Sequence, residues 1–160
     1  MDNAVSKVPG IKASHPVLNN GTFGILTAES PRFAAASPGG NDGLEAEIKA
    51  AGLHYEKVKG RYDAPHPAPA ENSFLIHGAD KAQLADWGRR YGQESVLWSR
   101  GGRHALVYTN GDKVGSYNPG QGKKIHATEP TDYYSTMQYR GRPLHFTLGI
   151  NFDDLKPWKG

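Results

Sequence analysis

The chain has no cysteine, and that single absence excludes several kinds of chemistry. It removes disulfide bonds, cysteine nucleophiles and every metal site built on thiolate ligands. The sequence also has no apolar run of the roughly 18 residues that a membrane-spanning helix needs, and its beginning lacks the apolar run of a signal peptide. We therefore expect a soluble protein from a reducing compartment, with no membrane partner.

A strong excess of one charge is missing as well. The chain carries 19 Lys and Arg against 16 Asp and Glu, a formal net charge of +3, which is less than a dedicated nucleic-acid binder usually shows. Leu, Ile, Val and Phe account for only 29 of its 160 residues, whereas Gly and Pro number 20 and 11. This balance predicts one modest core with long segments outside it. Those segments are either surface loops or stretches that become ordered on a partner, and both alternatives stay open.

The periodicity of the apolar residues predicts an α+β fold. Strand and helix patterns follow one another as strand–helix–strand, twice, which is the order of a ferredoxin-like βαββαβ core. The dipeptide Asn110-Gly111 is typical of a tight hairpin turn and predicts a C-terminal β-meander extension of the sheet. The expected strands lie near residues 23–28, 53–62, 73–77, 95–98, 105–108, 113–117 and 146–152, and the expected helices near residues 41–51 and 80–91.

Prolines and glycines divide the chain into four parts. We expect residues 1–20 to form an extended arm and residues 21–117 to form the α+β core domain. Residues 118–143 are expected to be an irregular segment rich in glycine and aromatic residues, and residues 144–160 a final strand and tail. Within the core, the alternate prolines of residues 64–70 favour a stiff polyproline connector, because proline cannot donate a ladder hydrogen bond.

Two of the predicted strands begin with a glutamate close to a serine. Glu71 and Ser73 open the third strand, and Glu94 and Ser95 open the fourth. If folding brings both openings to one edge of the sheet, these four candidate catalytic residues would lie close enough for acid–base chemistry or for a bound ligand. The alternative is structural, since such residues also bond to the backbone at the start of a strand. No recognisable catalytic motif surrounds either serine, so a non-enzymatic protein is favoured.

Further polar side chains would complete a binding site at that edge. Two of them, Arg100 and Arg103, flank a glycine turn, and guanidinium groups bind phosphate through two parallel hydrogen bonds. The expected ligand of such a site is a nucleotide-like molecule that carries phosphate. The candidate ligand-binding residues are Glu29, Asn41, Gln93, Arg100, Arg103 and His104.

Seven histidines are spread along the chain without the close spacing that is typical of metal ligands. We therefore predict no metal site, and no motif predicts an organic cofactor. His77 and His104 would meet in the sheet near the glutamates, although a strand histidine is more often a hydrogen-bonded, half-buried residue than a base.

The last third of the sequence interleaves tyrosines with basic residues. Single-stranded nucleic acids stack on such surfaces, and protein partners also use Tyr and Arg as their main contacts. A protein partner is the favoured interpretation. The candidate partner or nucleic-acid surface consists of Lys123, Lys124, Tyr133, Tyr134, Tyr139, Arg140 and Arg142.

The first part of the chain carries four short motifs. They are Thr27-Ala28-Glu29-Ser30-Pro31, Asn41, Glu71-x-Ser73 and Tyr91-Gly92-Gln93-Glu94-Ser95-Val96. Over roughly residues 23–98 this series resembles a bacterial and phage family, the domain of unknown function 3293. That family has no established activity, and Glu29 departs from its pattern, in which an aromatic or polar residue is expected. The resemblance implies a shared surface at Asn41, Glu71, Ser73, Gln93 and Ser95.

The favoured function is that of a phage or mobile-element accessory protein that binds a protein partner, either a virion component or a host defence factor. Such a protein would be cytoplasmic in the host cell or associated with the virion. The alternative is a small enzyme or a binder of a nucleotide-like, phosphate-bearing ligand at the sheet edge formed by Glu71 and Glu94. A third hypothesis is nucleic-acid binding through the basic, aromatic tail.

Overall fold

A computed structural model describes residues 16–29, 31–61, 70–130 and 133–159. Within these ranges the chain forms three helices and ten strands, and all of the strands belong to one sheet. The helices are α1 (Pro16–Asn20), α2 (Gly40–Ala50) and α3 (Lys81–Arg90). The strands are β1 (Thr22–Leu26), β2 (Tyr55–Arg61), β3 (Glu71–His77), β4 (Ser95–Arg100), β5 (Arg103–Tyr108), β6 (Ser116–Gln121), β7 (Lys123–His126), β8 (Tyr134–Tyr139), β9 (Arg142–Leu148) and β10 (Lys156–Pro157).

The sheet has the order β10-β6-β5-β4-β1-β3-β2-β8-β9-β7, and each neighbouring pair is antiparallel. The predicted fold class, a ferredoxin-like α+β core with a C-terminal meander, is therefore wrong. The protein is a mostly antiparallel β structure with few helices. Its sheet grows in two directions rather than one, because β8, β9 and β7 continue from β2 while β5, β6 and β10 continue from β4.

Residues 118–143, which were expected to be irregular, contribute β7, β8 and most of β6. Pro119 and Gly120 lie inside β6, and such residues normally mark the end of a strand. The final strand also ends earlier than its apolar alternation predicts, since β9 stops at Leu148. Residues 1–15 of the predicted arm and nearly all of the polyproline connector lie outside the described residues, and residues 16–20 form α1.

The helix expected near residues 80–91 and the glycine turn between Arg100 and Arg103 agree with the structure. The carboxylate of Asp80 caps α3 by accepting a hydrogen bond from the backbone N–H of Gln83 at 3.2 Å, and Gly92 follows the helix with a left-handed φ of 70°. Gly101 and Gly102 both adopt positive φ values, 59° and 82°, in the tight turn that joins β4 to β5. These elements depend on neighbours in sequence, which is why sequence patterns find them.

The two faces of the sheet bury separate hydrophobic cores. Side chains alternate along each strand, so Phe74 and Ile76 of β3 pack against α2 and α3, whereas Leu75 points to the opposite face. We call these the helix-covered face and the cavity face. The cavity face buries Leu18, Phe23, Ile25, Val58, Leu75, Met137, Leu144, Phe146 and Leu148.

The sheet curls, so strands that are distant in its order come together. The segment after β9 crosses to β6, where the backbone N–H of Asn151 donates to the Pro119 carbonyl at 2.8 Å. A side chain at Gly120 would collide with the backbone of Gly149, so this close crossing requires glycine. The curl places side chains of β8 and β9 opposite those of β4 and β5 on the cavity face.

None of the helices in the described part of the chain combines the length and the apolar character that a membrane crossing requires.

Candidate functional site

A cavity of about 320 Å³ lies on the cavity face of the sheet, at the end of β3 that carries Glu71. Its walls are mostly apolar because the inward side chains of several curled strands meet there. Polar side chains from the starts of β3 and β4 stand at one end of it. The apolar lining consists chiefly of Ile25, Leu97, Leu106, Phe146, Leu148 and Phe152.

The structure brings the two predicted strand openings together. Both β3 and β4 run antiparallel to β1, which lies between them, so they run in the same direction and begin at the same edge. Five polar residues at these openings line the cavity. They are Glu71, Ser73, Gln93, Glu94 and Ser95.

Ser73 is the most unusual of these residues. Its side chain is almost fully buried, with an exposed fraction of 2%. Its hydroxyl has no hydrogen-bond partner among the residues that the structure describes. A buried hydroxyl without a partner costs roughly 1–3 kcal/mol of stability, so such groups are rare in folded proteins.

A set of hydrogen bonds from the next connection holds the start of β4 in place. The backbone carbonyl of Gln93 accepts from the hydroxyl of Thr109 and from the side-chain amide of Asn110, both at 2.7 Å. The backbone N–H of Thr109 donates to the Glu94 carbonyl at 2.8 Å. The sequence assigns Asn110 to a tight hairpin, but in the structure its side chain fixes the start of β4 at the polar end of the cavity.

Arg32 also reaches the cavity, delivered by the loop after β1. The backbone N–H groups of Arg32 and Phe33 donate to the Gly92 carbonyl just past α3, each at 3.1 Å. Carbonyl groups at the end of a helix have no partner within the helix. The Gly92 carbonyl can therefore hold this loop without breaking a hydrogen bond of α3. The guanidinium of Arg32 lies 3.6 Å from the Glu94 carboxylate, and both side chains are about half exposed.

Two tyrosines extend the polar part of the lining. Burial raises the pKa of Tyr108, and the nearby Glu94 carboxylate raises it further. The Tyr108 hydroxyl donates to the side-chain oxygen of Asn118 at 2.5 Å. Tyr133 packs edge-on against Phe152, with ring centroids 5.7 Å apart, and both rings line the cavity.

Two predicted ligand-binding residues, Glu29 and Asn41, instead hold elements of the fold together. The Glu29 carboxylate accepts from the backbone and side-chain N–H groups of Asn72, at 2.8 and 2.9 Å. Asn41 accepts from the backbone of Ala28 and donates to the carbonyl of Asn72, at 2.7 and 2.8 Å. Asn41 therefore joins α2 to β1 and β3, and the N-cap position of α2 is occupied by Gly39.

The predicted phosphate clamp does not line this cavity. Arg100 and Arg103 pair across the β4–β5 hairpin and border a separate surface groove. His104 beside them is structural: its Nε2–H donates to the Gly122 carbonyl and its Nδ1 accepts from Ser99, both at 2.8 Å. Burial lowers the pKa of His104, which keeps the ring neutral for these two contacts.

His77 and His104 do not meet at the glutamates. His77 ends β3, opposite to the end that carries Glu71, and β1 and β4 lie between it and His104. The residues that sequence reasoning did not assign to the site include Arg32, Tyr108 and Phe146, because no local pattern places them at the cavity.

The predicted partner surface is divided among three places. Tyr133 and Tyr134 line the cavity, and Tyr134 is almost fully buried. Tyr139, Arg140 and Arg142 lie at the opposite end of β8, at its hairpin with β9. The lysines at 123 and 124 lie on β7, a short edge strand, where charge discourages pairing with another chain.

Sequence reasoning also missed a cluster of two histidines and a glutamate. The imidazoles of His54 and His77 and the carboxylate of Glu56 approach one another at the other end of the β2–β3 pair, with ligand atoms within 4.8 Å of one another. The three residues are too scattered in sequence for a ligand motif. The available signal was the His54-x-Glu56 alternation, which places both side chains on one face of a strand.

No curated protein matches the chain. A family model does match it, from the end of β1 to the start of β4. The match includes both polar strand openings of the cavity, while the wall formed by β8, β9 and the segment after them lies beyond it. The matching family is described as "Protein of unknown function (DUF3293)" and its model covers residues 26–96, in agreement with the resemblance that the sequence motifs indicate.

Proposed function

We propose that this protein is a binding module that holds a small, largely apolar molecule in the cavity of about 320 Å³. The ligand carries a hydroxyl or an amine that reaches the polar end of the cavity. The volume lies at the lower end of the roughly 300–1,000 Å³ that is typical of small-molecule sites. Such sites usually combine apolar walls with a few convergent polar groups, and this cavity has both.

The observation that carries the proposal is the buried Ser73 hydroxyl, which has no hydrogen-bond partner among the described residues. Ser73 lines the cavity, so a ligand there is within reach of its hydroxyl. A hydrogen bond from the ligand would recover the free energy that burial of the hydroxyl costs. The serine does not stabilise the ligand-free fold, because its buried hydroxyl has no partner there.

The charges at the cavity favour a neutral or cationic ligand over an anionic one. Among the described residues, two carboxylates, Glu71 and Glu94, line it, against one guanidinium, Arg32, which lies close to Glu94. An ammonium group gains from this balance, whereas a phosphate or carboxylate is repelled. The nucleotide-like ligand suggested by Arg100 and Arg103 therefore has less support, since those arginines border another groove.

Binding has more support than catalysis. A serine nucleophile needs an adjacent base, usually a histidine or a lysine. The described residues that line the cavity include neither. Three hypotheses stay predictions: binding of a protein partner, nucleic-acid binding, and a phage or virion setting. The division of the predicted partner surface into three places does not support either kind of binding.

The test uses three probes that share a benzyl or phenyl ring and differ in charge: benzylamine, benzyl alcohol and benzoate. Each is titrated into the full-length protein while backbone amide shifts are followed by NMR. We expect benzylamine to bind tightest and benzoate weakest, with shifts at residues around Ser73, Leu97 and Phe146. Absence of shifts at these residues for every probe, or tightest binding of benzoate, would contradict the proposal.

A matched pair of variants tests whether the probes enter the cavity. Ser95 lines it and starts β4, so Ser95→Trp is expected to abolish benzylamine binding. Ser116 also starts a strand and is also half-buried, but it is absent from the cavity lining, so Ser116→Trp is expected to leave binding unchanged. Equal affinities for the two variants would place the probe elsewhere.

A further inference from the structure

The cluster of His54, Glu56 and His77 lies on the same face of the sheet as the cavity, but at the other end of β3. His54 and Glu56 are two residues apart in an extended segment, so their side chains share a face. His77 lies directly opposite His54, since its backbone N–H donates to the His54 carbonyl at 2.9 Å. Residues opposite each other in neighbouring strands are close enough for their side chains to act together.

The three side chains already approach one another. The imidazole rings of His54 and His77 have their centroids 4.6 Å apart, at an angle of 47°. The His77 Nε2 and a carboxylate oxygen of Glu56 are 2.6 Å apart. One ligand atom from each of the three residues lies within 4.8 Å of the other two.

Two imidazoles and a carboxylate bind late first-row transition metals better than Mg²⁺ or Ca²⁺. The reason is that Mg²⁺ and Ca²⁺ take oxygen ligands. With metal–ligand bonds of about 2.0–2.1 Å, a tetrahedral site places its donor atoms about 3.3 Å apart. The observed spacings, from 2.6 Å to a maximum of 4.8 Å, bracket this value. Small side-chain rotations therefore suffice, and His54 is exposed and free to make them.

We propose that His54, Glu56 and His77 form a binding site for one divalent transition-metal ion of the zinc type. Three protein ligands leave at least one coordination position for water, because a tetrahedral ion has four. The exposure of His54 keeps this position open to solvent. The site is independent of the cavity: Glu71 and His77 are six residues apart along β3, a separation of about 20 Å.

The test is calorimetric titration of Zn²⁺ into the full-length, chelator-treated protein, with Co²⁺ as a spectroscopic probe of coordination. We expect one ion per chain, and the visible bands of Co²⁺ bound by nitrogen and oxygen. Either His54→Ala or His77→Ala removes this binding, and Glu56→Gln weakens it while preserving the shape of the side chain. Zn²⁺ also raises the thermal stability of the wild type but not of the two alanine variants.

The other histidines provide the control, because imidazoles elsewhere on a chain also attract Zn²⁺. His145 lies in a strand of the same sheet, half-buried beside the hydroxyl of Thr136 at 2.7 Å. His145→Ala is expected to retain the full stoichiometry and affinity. If His145→Ala loses as much binding as His54→Ala, or if the doubly substituted protein His54→Ala/His77→Ala binds like the wild type, the ion binds elsewhere and the proposal fails.

Discussion

A half-buried carboxylate on one face of the sheet and a buried hydroxyl on the other differ in how they are paired. On the helix-covered face, the Glu47 carboxylate accepts hydrogen bonds from Arg90, Tyr91 and Trp87. On the cavity face, the hydroxyl of Ser73 is buried and has no such partner among the described residues. The fold satisfies the Glu47 carboxylate from within, whereas we propose that a bound ligand satisfies the Ser73 hydroxyl.

This contrast shows where a polar group adds to the stability of the fold. The hydrogen bonds from Arg90 and the other two donors lower the pKa of Glu47 to about 2, and burial together with Glu47 raises the pKa of Tyr91 to about 12. Both shifts report a network that joins α2 to α3 and stabilises the charged carboxylate. The unpaired hydroxyl of Ser73 instead costs the cavity face some stability.

The largest expected effect is on the helix-covered face. Glu47→Gln removes the charge that three donors share, and hydrogen bonds to a charged group contribute about 1.5–3 kcal/mol each before losses to solvent. Because the Glu47 side chain is about a third exposed, we expect the free energy of unfolding to fall by about 2 kcal/mol. Urea unfolding measures it, with the exposed Asp42→Asn on the same helix as a control that is expected to change stability by about 0.5 kcal/mol or less. Equal losses for the two variants would refute the assigned network.

The contribution of Glu47 to the free energy of unfolding is expected to depend on pH. The folded-state pKa of Glu47 is below its ordinary value of 4.5, so its contribution is fully present above pH 4.5 and is lost as the pH falls towards about 2. After a discount for solvent screening, that loss is about 1–2 kcal/mol. Unfolding curves between pH 6 and pH 2.5 should therefore converge for the wild type and Glu47→Gln; curves that stay parallel would contradict this interpretation.

The next prediction compares two buried serines that differ only in their partners. Ser99 donates to the neutral ring of His104, so Ser99→Ala is expected to lower stability by about 1 kcal/mol. Ser73→Ala removes an unpaired hydroxyl, so it is expected to leave stability unchanged or to raise it by up to about 1 kcal/mol. Thermal and urea unfolding of both variants measure the difference. A destabilised Ser73→Ala protein would mean that the hydroxyl has a partner within the fold.

Sequence reasoning found the parts of the site that depend on local patterns. The glutamate and serine at the start of β3 and of β4 were expected to share an edge, and Glu71 and Glu94 do line one cavity. The reason is geometric, because strands that share one antiparallel neighbour run in the same direction. Helix α3 was also found, since its cap and its terminal glycine are visible in sequence.

The fold class and the far wall of the cavity depend on long-range pairing, which no local pattern encodes. β8 pairs with β2 across more than 70 residues of sequence. Its residues are mostly polar, so the periodicity of apolar residues does not predict a strand there. The hydroxyl of Thr136 bonds to the ring of His145 across that part of the sheet, yet Thr136 lies in the segment that was expected to be irregular. The apolar wall residue Phe146 was expected in a strand, but its approach to β4 and β5 follows only from the curl of the sheet.

One measurement tests the central claim most directly: the affinity of the wild type and of Ser73→Ala for benzyl alcohol, determined alongside their melting temperatures. If a ligand satisfies the Ser73 hydroxyl, the variant binds benzyl alcohol about two- to thirteenfold more weakly, because one neutral hydrogen bond contributes about 0.5–1.5 kcal/mol. It does so while melting no lower than the wild type. Unchanged affinity, or weaker binding accompanied by a lower melting temperature, would contradict the account.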